Sequence, residues 1–238
     1  MKIEEKIQFE SFNPKSYILY EDIKTILNTK DLKEVYYIFG SMKDEAYTIL
    51  KDIMCEVYNK GAKYNFVIGI DRRNISRAVM ESMFAIADNF YVYNNNVQDD
   101  FNAKIYIFKF EKEVIVILPS SNLTLKGITN GYANVTKIIF DLEKDLDAYN
   151  EFMFGIKEYI YPDERIFKKV NPKIIEELEL KRELLIRKDD ESLPSIDEYL
   201  KKTASMKSKI SNEEFEEKIK SKLDNIVKDF DIEMEDDE

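Results

Sequence analysis

Histidine is absent from all 238 residues of this chain, and cysteine occurs once. Without imidazole the protein lacks the commonest general base, the commonest metal ligand and the usual switch near neutral pH. The single Cys55 excludes an intramolecular disulfide framework and leads us to expect a reducing, cytoplasmic compartment. It falls on the apolar face of an expected helix, where a buried structural thiol is far commoner than a nucleophile. Glycine and proline are sparse, six and five, which argues against loop-rich or collagen-like classes. The apolar run Val114 to Leu118 is strand-sized and well short of the ~18 residues of a transmembrane helix, so no membrane partner is expected. The first residues, Met1-Lys-Ile-Glu-Glu-Lys6, are too charged for a signal peptide. There is no glycine-rich strand-helix loop, no Cys/His cluster and no calcium-type acidic loop, so neither a cofactor nor a metal is expected.

What is present is enough for a packed core: 44% hydrophobic residues, with 15 Phe and 15 Tyr. Net charge is −11, unevenly spread, because Ser211 to Glu238 carries 12 acidic and four basic residues. Only −3 is left for residues 1–210, so the acidity belongs to the tail and does not argue against nucleic acid near the main domain.

Hydrophobic spacing divides the chain in two. Residues 1–160 alternate helix-like and strand-like segments. Tyr17 to Leu27 places Leu19, Tyr20, Ile23, Ile26 and Leu27 on one helical face, and Val35 to Phe39 reads as a buried strand ending at Gly40-Ser41. A 3.6-residue period runs from Ala46 to Tyr58, with Gly61 as its stop, before a strand at Phe66 to Ile70. Ser76 can cap a helix carrying Val79, Met80, Met83 and Ile86, and Phe90 to Tyr93 is a further strand. Lys104 to Lys109 and Val114 to Leu118 flank a hairpin turn, Val135 to Phe140 is a strand, and Asp145 to Tyr159 a helix. The order predicts an α/β domain whose mixed β-sheet is flanked by helices, with a C-terminal helical extension. Residues 161–238 read as a helical accessory region with an acidic tail: a helix at Asn171 to Arg187, a linker at Lys188 to Ser195, and a capping box at Ser211 to Glu214. There the short stripe Ile219, Leu223, Ile226 and Phe230 needs a surface to bury it, on its own domain or in a larger protein complex.

Two segments carry the chemistry, Asn102-Ala-Lys104-Ile-Tyr106 and Ser120-Ser-Asn-Leu-Thr124. Positions i and i+2 of a strand face the same side, so Asn102 and Lys104 share one pocket. Lys104 offers a compact positive charge, and Ser120 and the Asn122 amide offer hydrogen-bond donors, a set suited to phosphate. Taken alone, these tripeptides also fit the start of an edge strand and a polar turn. Asp71-Arg-Arg-Asn-Ile-Ser-Arg77 adds Arg72, Arg73 and Arg77 at a strand-to-helix loop. With Lys126 they make either a cationic groove for a nucleic-acid backbone or a solvated charged surface.

The two segments, followed by Gly127-Ile-Thr129 and Tyr132-Ala-Asn134, resemble the signature of the phospholipase D superfamily over roughly residues 30–160. They are most similar to its single-motif branch of metal-independent restriction nucleases and other DNA-targeting proteins. The resemblance implies that position 102 is where a nucleophilic His attacks phosphorus, while a second His protonates the leaving oxygen. Asn102 can do neither, Pro119 stands where the family has Gly, and Tyr132 aligns with its usual Glu. Binding residues outlast chemical ones. The resemblance therefore implies a catalytically degenerate homodimer that contacts nucleic acid, DNA in the first place, in a bacterial or phage restriction or antiviral defence system. The competing expectation is a metal-independent endonuclease inactivated by the Asn102 replacement.

Overall fold

A computed structural model of the chain describes residues 1–8, 18–70, 74–93, 101–129, 131 and 133–185. The chain divides into two compact units, and every described residue belongs to the first, Met1–Glu10 with Ser16–Leu193. Strand β1 (Lys2–Gln8) precedes α1 (Leu19–Leu27), β2 (Glu34–Phe39), α2 (Asp44–Asn59), β3 (Lys63–Gly69), α3 (Arg77–Ile86) and β4 (Asn89–Tyr93). There follow β5 (Lys104–Lys109), β6 (Glu113–Pro119), the short α4 (Leu125–Thr129) and β7 (Ala133–Asp141). The described chain ends with α5 (Leu146–Gly155), α6 (Lys157–Ile160), β8 (Phe167–Lys169) and α7 (Pro172–Leu180). The strands form one sheet in the order β1-β7-β6-β5-β2-β3-β4-β8. Within it β2, β3 and β4 run parallel and all other neighbours antiparallel. This is the mixed-sheet α/β architecture expected from the spacing of apolar residues.

The inner strands alternate their side chains between two cores. Ile38, Val67, Ile105, Ile107, Val116 and Phe140 face α5 and α6, which supply Tyr149, Phe152 and Tyr159. The opposite face is aromatic. Tyr37 stacks on Phe66 at 5.6 Å between ring centres and meets Tyr106 edge-on at 5.4 Å. Tyr64 and Phe66 stack at 6.0 Å beside them. On this side α1 to α4 pack on one another, and Tyr47 of α2 bonds Ser82 of α3 at 2.9 Å. The parallel strands are thus covered on both faces, which is why β2 and β3 read as near-continuous apolar runs.

Helix ends follow local chemistry. Gly61 takes φ 92°, its N–H bonds the Tyr58 carbonyl at 2.8 Å, and the Ala62 N–H bonds Val57 at 3.4 Å, a Schellman stop for α2. Ser76 caps α3 by accepting the Val79 N–H. The helix expected over Asn171 to Arg187 stops at Leu180 instead, because Arg182 turns left-handed at φ 56° and the Glu183 N–H returns to the Leu178 carbonyl. The helix expected over Asp145 to Tyr159 is two, broken after Gly155. Three further elements, β1, α4 and β8, have no counterpart in the sequence reading. The capping box and apolar stripe beyond residue 186 lie outside the described residues.

Candidate functional site

The C-terminal ends of β2, β3 and β6 and the N-terminal ends of β5 and β7 meet at one end of the sheet. Loops at that end of parallel strands are where α/β sheets commonly build sites. Glycine makes the approach possible. A Cβ on Gly40 would lie 1.8 Å from the Phe101 carbonyl oxygen and 2.8 Å from the Asn102 Cα, and one on Gly69 would lie 2.2 Å from the Gly40 oxygen. The Gly40 N–H donates to the Ala103 carbonyl at 2.8 Å, holding the Asn102 segment against the end of β2.

Asn102 is exposed and Lys104 half-buried, and both lie on the aromatic side of the sheet. The Lys104 Nζ donates to the Asn102 Oδ1 at 2.6 Å. The two residues therefore lie side by side, and the amide at position 102 serves as an anchor for the lysine. Pairing of β5 with β6 stops at Tyr106 opposite Ile117. The same register sets Lys104 opposite Pro119, which has no N–H to extend the ladder, so the strands' mutual hydrogen bonding ends at the site.

Ser120 is tied to the start of β7. Its N–H donates to the Asn134 carbonyl at 2.8 Å, while its Oγ accepts the Asn134 N–H at 3.0 Å, leaving the hydroxyl proton to donate elsewhere. Asn122 is half-buried, and its amide oxygen is buried with no hydrogen-bond partner among the described residues. The loop around it is tightly wound. The Gly127 N–H bonds the Thr124 Oγ1 at 3.0 Å, the Ser121 hydroxyl bonds the Gly127 carbonyl at 2.9 Å, and a Cβ on Gly127 would sit 2.5 Å from the backbone carbonyl oxygen of Asn122. This winding gives the Gly127-Ile-Thr129 segment a physical role: it fixes where Asn122 sits.

The structure adds residues that the sequence did not single out. Leu123 exchanges backbone hydrogen bonds with Ser41 and Lys43, joining the loop after β6 to the loop after β2. The Asn74 amide donates to the Ser41 Oγ at 3.0 Å, and the buried Asp44 accepts the Ser76 N–H at 2.8 Å, joining the loop after β3 as well. The readable signal was the pair Gly40 and Gly69, each at the end of a parallel strand. Arg77 is held elsewhere, bonded to Glu81 at 2.7 Å and to Glu179 of α7, and these carboxylates raise its pKa further. Lys126 is exposed on α4. Arg72, Arg73 and Tyr132 lie outside the described residues. A cavity of about 520 Å³ lined by Lys30, Lys33 and Lys60 lies at the opposite end of β2, away from Lys104.

No protein-family model matches this chain, and no curated protein matches it. Among solved structures it is similar to the phosphatidylserine synthase of Haemophilus influenzae Rd KW20, with a TM-score of 0.50 and 12% identity over 75% of this chain and 44% of that one. The chain thus spans less than half the length of that synthase. It also matches Nuc, a phospholipase D family member from Salmonella typhimurium, with a TM-score of 0.46 and 12% identity over 71% of this chain and 99% of that one. NucT from Helicobacter pylori matches with a TM-score of 0.43 and 15% identity over 66% of this chain and 97% of that one. At such identities the likeness concerns architecture, which is phospholipase D-like. It does not single out the restriction-nuclease branch.

Proposed function

We propose that this protein is a catalytically silent phospholipase D-like subunit that grips a nucleic-acid phosphate, DNA in the first place, at the Lys104, Ser120 and Asn122 end of the sheet. The observation that carries this reading is the Lys104 to Asn102 hydrogen bond in a chain with no histidine. A carboxamide nitrogen has its lone pair delocalised into the carbonyl and no proton that titrates near neutral pH. It can position Lys104, but it can neither attack phosphorus nor protonate a leaving oxygen. A second copy of the same chain brings no imidazole either. What remains is recognition: the ammonium of Lys104 at the start of β5, and the hydroxyl proton of Ser120 and the amide of Asn122 in the loop after β6, suit a tetrahedral anion. Contacts to a backbone phosphate are sequence-tolerant and weaken with salt. On this reading the protein is a homodimeric, cytoplasmic component of a bacterial or phage DNA-targeting system, restriction or antiviral defence. Its segment beyond residue 186 joins it to larger complexes.

Duplex DNA binding measured across a salt series tests the pocket. Replacing Lys104 with Ala is expected to weaken affinity and to make the slope of log K against log [salt] shallower by about 0.9, the share of one phosphate. Unchanged affinity and slope in that variant would leave the pocket without a ligand. Nuclease assays in EDTA test the chemistry: neither the parent nor Asn102→His is expected to cleave. Robust cleavage by Asn102→His would establish the other reading, an endonuclease silenced at one position.

A further inference from the structure

The cavity of about 520 Å³ at the far end of β2 lies where α1 and α2 finish. Its floor is apolar, made by the buried Leu27, Leu32 and Val57, and the exposed Lys30, Lys33 and Lys60 stand around it. Backbone bonds fix where each lysine starts. The Lys33 N–H donates to the Lys109 carbonyl at 2.8 Å and its carbonyl accepts the Lys63 N–H at 2.9 Å, which clamps it between β5 and β3. Lys60 closes α2, its N–H bonded to the Glu56 and Val57 carbonyls. Lys30 precedes Asp31, a residue other than glycine held left-handed at φ 71°. That turn leaves the N–H groups of Lys30 and Asp31 without an acceptor among the described residues.

Lysine near a helix C-terminus is ordinarily accounted for by the last carbonyls, which its ammonium can bond. Here none of the three ammonium groups bonds a carbonyl or pairs with a carboxylate among the described residues, unlike Lys137 with Asp22 or Lys112 with Glu143. Asp31 is the one acidic residue among those lining the cavity, so positive charge prevails there. We propose that this cavity binds an oligophosphate, two or three linked phosphates, either free or as the tail of a nucleotide. Its volume falls in the range of about 300–1,000 Å³ typical of small-molecule sites and exceeds what one phosphate fills. Lysines presented from three separate elements suit negative charge spread along a chain of phosphates, each by a charge-assisted bond. The apolar floor gives a nucleoside a surface to lie on. The six residues of β2, at about 3.3 Å each, put roughly 20 Å between Lys33 and Gly40, so one oligophosphate cannot also reach Lys104. This site therefore does not rest on the phosphate reading of the other end.

Isothermal titration calorimetry of the full chain with tripolyphosphate, free of divalent cations, tests the site, with far-UV circular dichroism as the folding control. The parent is expected to bind, more weakly as salt rises. Lys33→Ala with Lys60→Ala should lower affinity about tenfold or more through the lost charge-assisted bonds. Asp31→Asn keeps a residue that tolerates the left-handed turn, removes the one opposing charge and should tighten binding severalfold. Lys104→Ala should leave this affinity unchanged. ATP binding more tightly than tripolyphosphate identifies the tail of a nucleotide, with its nucleoside on the apolar floor; equal or weaker binding identifies the free chain of phosphates. A parent that binds no tripolyphosphate, or an affinity indifferent to the Lys33, Lys60 and Asp31 changes, overturns the proposal. Affinity lost in Lys104→Ala instead overturns it too and places the anion at the other end of the sheet.

Discussion

Two glycines of similar appearance in the sequence do different work at the level of single residues. Gly61 is required for its backbone angle alone: φ is 92° and nothing lies within 4 Å of where a Cβ would stand. Gly61→Ala should therefore cost about 1 kcal/mol in urea unfolding and leave phosphate or DNA binding as it was. Gly40 is required for space, since the added methyl would enter the Phe101 carbonyl, which cannot swing aside as a side chain can. Gly40→Ala should cost about 3 kcal/mol or more, and should displace Asn102 and Lys104 so that DNA affinity falls with stability. Equal effects of the two substitutions on binding would show that Gly40 does not shape the site. That Asn102 and Lys104 lie side by side was legible because residues i and i+2 of an extended segment face the same way. The bond from Lys104 to Asn102 was not, because rotamer choice depends on what the surrounding strands leave open.

Elements were legible in proportion to how much of their stability comes from their own pattern. Helix α2 buries Ala46, Tyr47, Leu50, Met54 and Val57 along one face, a stripe that the sequence displays directly. The five residues of α4 hold together through Thr124, Gly127 and the backbone of the loop after β2, and such a short helix has no stripe to read. The three residues of β8 are a strand because Tyr91 to Tyr93 of β4 offers them an open ladder, not because Phe-Lys-Lys prefers one. Charged β1 likewise takes its form from β7. Capping shows the same balance at a helix start. Ser76 is 5% exposed, accepts the Val79 N–H and gives its own N–H to Asp44. Ser76→Ala keeps the backbone bond to Asp44 and loses the cap, so it should lower unfolding free energy by about 1 kcal/mol. Asp44→Ala should cost more, because it leaves a buried N–H without an acceptor; thermal or urea unfolding of both variants provides the comparison.

For the whole molecule, the lack of histidine and the burial of tyrosine together set the pH profile. Burial pushes Tyr47 up to about 12 and raises Tyr36, Tyr37, Tyr64 and Tyr149 above the ordinary tyrosine value, with Glu34 adding to the rise at Tyr36. Unfolded tyrosine ionises near about pH 10, so above that pH the unfolded chain releases protons that the folded chain retains. The contribution of these groups is complete below about pH 10 and is lost as pH rises through their folded values. Urea midpoints should therefore be nearly flat from about pH 6 to about pH 8, where no imidazole titrates, and should fall steeply above about pH 10. Tyrosinate absorbance should rise together with unfolding; a steep change in the neutral range would contradict this account.

By itself the sequence determined the periodic elements, the mixed-sheet class, the proposed polar set of Lys104, Ser120 and Asn122, and the absence of imidazole. These depend on residue identity and on spacing within one segment, which the chain carries whether folded or not. Only the tertiary structure decided that Gly40, Ser41, Asn74 and Asn134 join that set at one end of the sheet, and that Arg77 is committed to Glu81 and Glu179. It also decided that Lys30, Lys33 and Lys60 line one cavity. Each of these depends on strand order and register, where neighbours are separated by tens of residues and are fixed by packing of the whole sheet.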